Sequence, residues 1–204
     1  MIEVADGVGE LGAGRSAWSD ESFQEKDSAG FYIIAAAIIE SAAVESAREA
    51  MRRLRGARAT PKAHWTEMDR RERERAAQAV AGIGGLHVVA VGSPVPARRQ
   101  ERARRKCLTE LVVELHGFQV NHLCMEARQS QLNQRDVETV QHVRRFRLSK
   151  ETRFRIDHVA GASEPLLWVA DVVAGACRAE RLGQGAYREA LGDTVMDFEV
   201  GTSC

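Results

Sequence analysis

The sequence predicts an α/β protein: one mixed sheet that opens with a hairpin and carries helices on both faces. Three observations predict it. Two apolar, β-rich segments, 17–20 and 31–39, flank the polar stretch 24–30, which is the pattern of a hairpin. After them, strand-like and helix-like segments alternate along the chain. Residues 165–177 read Pro-Leu-Leu-Trp-Val-Ala-Asp-Val-Val-Ala-Gly-Ala-Cys, a helix apolar nearly all round and therefore buried.

The elements follow in order. Residues 1–16 are Gly-rich and weakly patterned, and read as a flexible lead-in to a single domain over 17–204. The first strand ends in Asp20-Glu21-Ser22, and the second, Phe31–Ile39, belongs at the centre of the sheet. Residues 43–55 are helical, 61–65 extended, and 67–82 a charged helix whose apolar stripe is Ala76, Ala77, Val80 and Ile83. The strand 86–91 is stopped by Gly92-Ser93-Pro94. A long helix over 97–116 carries its basic residues in its first half and Leu108, Leu111, Val112 and Leu115 in its second. A buried strand over 119–125, an amphipathic helix over 131–147 and a strand over 154–159 come next. The buried helix spans 164–182, and 187–200 adds a short helix and a final edge strand.

Composition bounds the function. The basic and acidic residues balance at 29 each, which argues against a nucleic-acid coat protein but leaves room for a local basic groove. The densest basic patch is Arg98, Arg99, Arg102, Arg104 and Arg105, either a solvated helix start or a phosphate track. No run is apolar and long enough to span a membrane as a helix, and no signal sequence opens the chain. Cys107, Cys124 and Cys177 sit in apolar elements without C-x-x-C spacing, as buried thiols of a reducing cytoplasm do. Glycines 7, 9 and 12 spell G-x-G-x-x-G, but no strand precedes them and no helix follows, so no dinucleotide site is expected.

The chemistry rests on acids. Asp171 is the lone charge in its apolar helix, so it needs a hydrogen-bonding partner, a cation or a metal ion. Asp20 and Glu21 end the first strand, Glu126 leaves the strand Val-Asn-His-Leu-Cys-Met, and Asp136 lies on the next helix. Carboxylates brought together repel and call for a cation, and oxygen-rich clusters suit Mg²⁺ or Mn²⁺. A pair of such ions is the machinery of phosphoryl hydrolysis. His158, at the end of its strand, either assists proton transfer or is a satisfied structural histidine. His64, in Lys62-Ala-His-Trp65, either touches nucleic acid or follows the packing of Trp65.

The ordered set Asp20-Glu21-Ser22, Glu126-Ala-Arg128, His158 and Glu164-Pro-Leu-Leu-Trp-Val-Ala-Asp171 resembles the bacterial domain of unknown function 3800 family, which is grouped with ribonuclease-H-like folds. Phe23 stands where the common pattern has a glycine. The resemblance implies that Asp20 and Asp171 match the first-strand and last-helix acids of a ribonuclease-H-like metal site, with Glu126 or Asp136 between them. The resulting expectation is a metal-dependent hydrolase of phosphodiester bonds, acting on RNA or DNA. Asp20, Glu126 and Asp171 hold the ions, Glu21 or Asp136 is the fourth acid, and His158 assists. The alternatives are a non-catalytic module that binds nucleic acid or a protein, and a small-molecule hydrolase on the same acids.

Overall fold

The computed structural model describes residues 15–26, 30–56 and 60–202. The G-x-G-x-x-G stretch and most of the expected lead-in lie outside the described residues. Six strands form one sheet: β1 (Arg15–Gln24), β2 (Gly30–Ile38), β3 (Leu86–Val95), β4 (Val120–Glu126), β5 (Arg155–Val159) and β6 (Val195–Gly201). Their order is β5-β4-β1-β2-β3-β6. β1, β2 and β3 pair antiparallel, whereas β4, β5 and β6 join parallel to their neighbours. The sheet is therefore mixed and opens with a hairpin, as expected. Arg15 and Ser16, expected in the lead-in, belong to β1. β3 runs past Gly92-Ser-Pro94 to Val95, because β2 and β6 continue to pair with it there.

The helices are α1 (Val44–Arg55), α2 (Arg70–Ile83), α3 (Gln100–Gly117), α4 (Ser130–Phe146), α5 (Leu166–Arg181) and α6 (Ala186–Leu191). They divide between the two faces, each over its own apolar layer. One layer joins Trp18, Ile33, Ala35 and Val89 of the sheet to α5, with α1, α2 and α6 around it. The other joins Ala17, Ile34, Ala36 and Val88 to α3 and α4. Alternate residues of one strand thus feed opposite layers, as the pleat requires. A charge placed on β1 is assigned to a face by its position alone. Cys107, Cys124 and Cys177 are buried in these layers. Among the described residues no helix is long and apolar enough to cross a membrane.

α5 lies against β1 and β2 and is buried over nearly its whole length. Its apolar circumference has two uses: one side packs on the sheet, the other is roofed by α1, α2 and α6. Fully burying each Leu or Val contributes about 1.5–3 kcal/mol, so the helix fixes its position strongly. That rigidity matters because Asp171 sits in its middle.

Candidate active site

Local chemistry fixes where α5 begins. The Glu164 carboxylate accepts the Leu166 N–H at 3.1 Å and is gripped by Arg48 of α1 at 3.0 and 2.7 Å. The Trp168 indole N–H donates to the Gly161 carbonyl at 2.7 Å. The Glu-Pro-Leu-Leu-Trp part of the motif is thus a device for seating a helix.

Asp171 is 7% exposed. Its Oδ2 accepts the Trp65 backbone N–H at 2.6 Å and lies 3.2 Å from His64 Nδ1. The Trp65 ring rests on Gly175, one turn beyond Asp171, where any Cβ would overlap the indole. Tyr187 meets the same ring edge-on at 5.1 Å. A glycine on α5 therefore admits the tryptophan, and the tryptophan delivers the loop after α1 to the aspartate.

Two more acids face the same way. Trp18 belongs to the α5 layer, so Asp20, two residues on, shares its face. Cys124 belongs to that layer too, and Glu126 follows it by two. β1 and β4 run parallel with Trp18 opposite Cys124 and Ser19 opposite Met125, which brings Asp20 level with Glu126. Lys62 Nζ donates to both Glu126 oxygens, at 2.9 and 2.8 Å. Glu126 also fills the space beside Gly161 that a side chain there would need.

The electrostatics confirm one shared neighbourhood. Burial, then the charges of Asp171 and Glu126, hold the Asp20 carboxyl well above the usual carboxylate range, against the opposing pull of Lys62 and His64. The hydrogen bond to Asp171 raises the His64 pKa, despite burial. Burial lowers that of Lys62, but the hydrogen bond and charge of Glu126, joined by the charges of Asp20 and Asp171, together outweigh it and leave it raised. Three acids and two bases thus form one charged cluster beneath the loop at 60–65.

The remaining expected site residues lie elsewhere. Glu21 is adjacent to Asp20 on a strand, so it points to the opposite face, where it pairs with the buried Arg104. Asp136 is not a spare ligand either. It receives Arg104 Nε and Nη2 at 2.9 and 2.8 Å and Arg128 Nη2 at 3.2 Å. Burial would raise its pKa, but the hydrogen bonds of His158 and Arg104 and the charges of Arg104 and Arg128 together hold it well below the usual range. His158 lies 3.3 Å from Asp136, across the sheet from Asp171. Ile156, two residues before it, packs in the α3–α4 layer, and Val159 in the α5 layer. The histidine beside Asp171 is His64, and Lys62 completes the cluster. The signal for both was their place in a short loop ending in a tryptophan large enough to reach a buried helix.

As the side chains stand, no group of three His, Cys, Asp or Glu among the described residues is arranged to hold a metal ion. The donor set still suits one. Asp20 is a crowded carboxylate that, among the described residues, accepts a hydrogen bond from the adjoining Glu21 N–H at 2.8 Å, and an oxygen-preferring cation would relieve its repulsion with its two acidic neighbours. A cavity of about 230 Å³ opens beside it, lined by Ser19, Asp20, Glu21, Glu126, Arg104 and Arg128 among others.

No family model and no curated protein matches the chain. Among solved structures, a mutant protein of Bst-RNase HIII aligns with 84% of this chain at 13% identity and a TM-score of 0.41. The alignment spans 56% of that chain's length.

Proposed function

We propose that this chain is a ribonuclease-H-like, metal-dependent hydrolase of phosphodiester bonds, with RNA or DNA as substrate. The observation that carries the reading is the meeting of Asp20, Glu126 and Asp171 on one face of the sheet, with Asp20 left short of positive charge. The resemblance of Asp20-Glu21-Ser22 and Glu164–Asp171 to the domain of unknown function 3800 family points the same way. Asp20, Glu126 and Asp171 would hold Mg²⁺ or Mn²⁺. Such an ion supplies an activated water and stabilises the leaving oxygen. The chain's own contribution is positional. The Trp65 N–H and His64 fix the Asp171 carboxylate. Gly161 and Lys62 fix that of Glu126.

A second reading has its own observation. Lys62 and His64 already engage Glu126 and Asp171, so the cluster is also suited to a non-catalytic module with a closed polar core. Incubation with single- and double-stranded RNA and DNA, with Mg²⁺, Mn²⁺ or chelator, separates the two. Cleavage that needs the ion and disappears in Asp20→Asn and Asp171→Asn supports the hydrolase. No cleavage on any substrate, with both variants binding as wild type does, supports the module.

A further inference from the structure

One cavity, of about 850 Å³, lies away from the acids. It is a groove between α3 and α4 on the other face. The lining follows helical spacing on both walls. α3 contributes Arg102, Arg105, Lys106 and Thr109, at i, i+3, i+4 and i+7, and α4 contributes Arg135, Glu138, Thr139 and His142 in the same pattern. Each stripe is therefore one continuous helix face, about 10 Å long at 1.5 Å per residue.

The groove gathers cations on both of its walls. Arg102, Arg105 and Arg135 are exposed and make no ion pair among the described residues. Of the acids in the lining, Glu101 holds Arg128 at 2.6 Å and Asp136 holds Arg104 at 2.8 Å, while Glu138 takes only the Gln134 amide at 3.4 Å among the described residues, so the cations outnumber the free carboxylate. Some surface arginines pair, Arg53 with Glu49, Arg70 with Glu74 and Arg147 with Glu110, and others such as Arg71 and Arg75 do not among the described residues, so the groove is set apart by the alignment of its cations on two facing helices. The arrangement also works against α3 itself. Like charges three and four residues apart repel, and cations near a helix N-terminus oppose its dipole. An anion running along the groove offsets both costs.

We propose that the α3–α4 groove binds the phosphodiester backbone of a nucleic acid. RNA and DNA share this chemistry. The inference extends the hydrolase reading by naming the surface that holds its substrate, since Arg104 lines both the groove and the cavity beside Asp20. Lying along a duplex axis, a stripe of about 10 Å matches about three phosphates of one strand, at about 3.4 Å of rise each. Arginine suits the task because its planar fork grips phosphate oxygens in pairs.

The test is binding of labelled RNA and DNA 20-mers, single-stranded and duplex, in chelator and over a range of salt. Chelator separates binding from the metal reading. The variants are the full chain with Arg102→Gln, Arg105→Gln and Arg135→Gln together, and a control with Arg53→Gln, Arg70→Gln and Arg147→Gln, which removes equal charge elsewhere. The groove variant is expected to lose at least about tenfold in affinity. Its log–log salt slope should fall by about two for single strands and about three for a duplex, at roughly 0.7 and 0.9 per phosphate contact. The control should bind as wild type, and unchanged melting of both variants excludes misfolding. The RNA and DNA arms show which polymer is the source. No binding by wild type overturns the proposal, as do an equal loss in the control and capture by anionic phospholipid vesicles without nucleic-acid binding. Groove-dependent binding without any cleavage upholds the groove and leaves the hydrolase reading to fail by itself.

Discussion

Removing the Asp136 carboxylate is expected to destabilise the protein without any metal being involved. Arg104 is 2% exposed, and Asp136 is its bidentate partner at 2.9 and 2.8 Å. Asp136→Ala leaves that guanidinium buried with Glu21 and the Tyr32 hydroxyl as its remaining partners. Breaking a buried ion pair from one side costs about 3–5 kcal/mol, and the surviving Glu21 contact places this case near about 3 kcal/mol. For a chain of this size that lowers Tm by about 6–12 °C. Urea titration should show a lower midpoint with an unchanged slope. The pH dependence has a definite sign. A carboxylate with a depressed pKa in the folded protein stabilises it at neutral pH, and that contribution fades as pH falls below about 4. The variant's curve should therefore converge on wild type in acid. A loss under about 1 kcal/mol, or a wild-type stabilisation by Mg²⁺ that vanishes in this variant, would refute the assignment of Asp136 to a structural ion pair.

Other predictions probe the supports of the site. Gly161→Ala displaces the flexible end of Glu126 rather than backbone, so it should cost less than about 1 kcal/mol while weakening any metal-dependent stabilisation, both read by thermal melts. Gly175→Ala drives a Cβ into the buried Trp65 ring and should cost about 1–3 kcal/mol from overpacking, with an altered near-ultraviolet signal for that tryptophan. His87 is 1% exposed, and burial pulls its pKa down to about 4. The unfolded chain then binds the extra proton first, so stability should fall by about 3 kcal/mol as pH drops from about 6.5 to 4. His87→Phe should flatten that stretch of the pH–stability curve.

The architecture was legible because it rests on local signals. The apolar run of β2, the polar hairpin turn and the apolar helix each carry their own periodicity, and the helix is as buried as its composition requires. The shared neighbourhood of Asp20, Glu126 and Asp171 was legible for the same reason, since they are isolated acids at strand ends or in apolar surroundings. Facing was harder to read. Asp20 and Glu21 were both offered as ligands, although adjacent strand residues point apart, and Glu21 pairs with Arg104. Asp136 and His158 were near in sequence to plausible acids, but α4 directs Asp136 to Arg104 and β5 directs His158 to Asp136. Lys62 and His64 were underrated because their partners are more than sixty residues away, and only the packing of Trp65 on Gly175 brings them there.

The central claim is that Asp20, Glu126 and Asp171 form a metal site, and melting of wild type and Asp171→Asn, each in chelator and in Mg²⁺ or Mn²⁺, tests it most directly. Asparagine keeps an oxygen for the Trp65 N–H and removes one of the charges that crowd Asp20. In chelator the variant should therefore match wild type within about 1 kcal/mol, the order of one close charge pair in water. An ion at a hundred times its Kd should stabilise wild type by about 2.7 kcal/mol, or about 5–11 °C, and leave the variant unmoved. A variant that loses several kcal/mol in chelator, beside a wild type that no divalent ion stabilises, would contradict the claim and make Asp171 the anchor of a structural polar cluster.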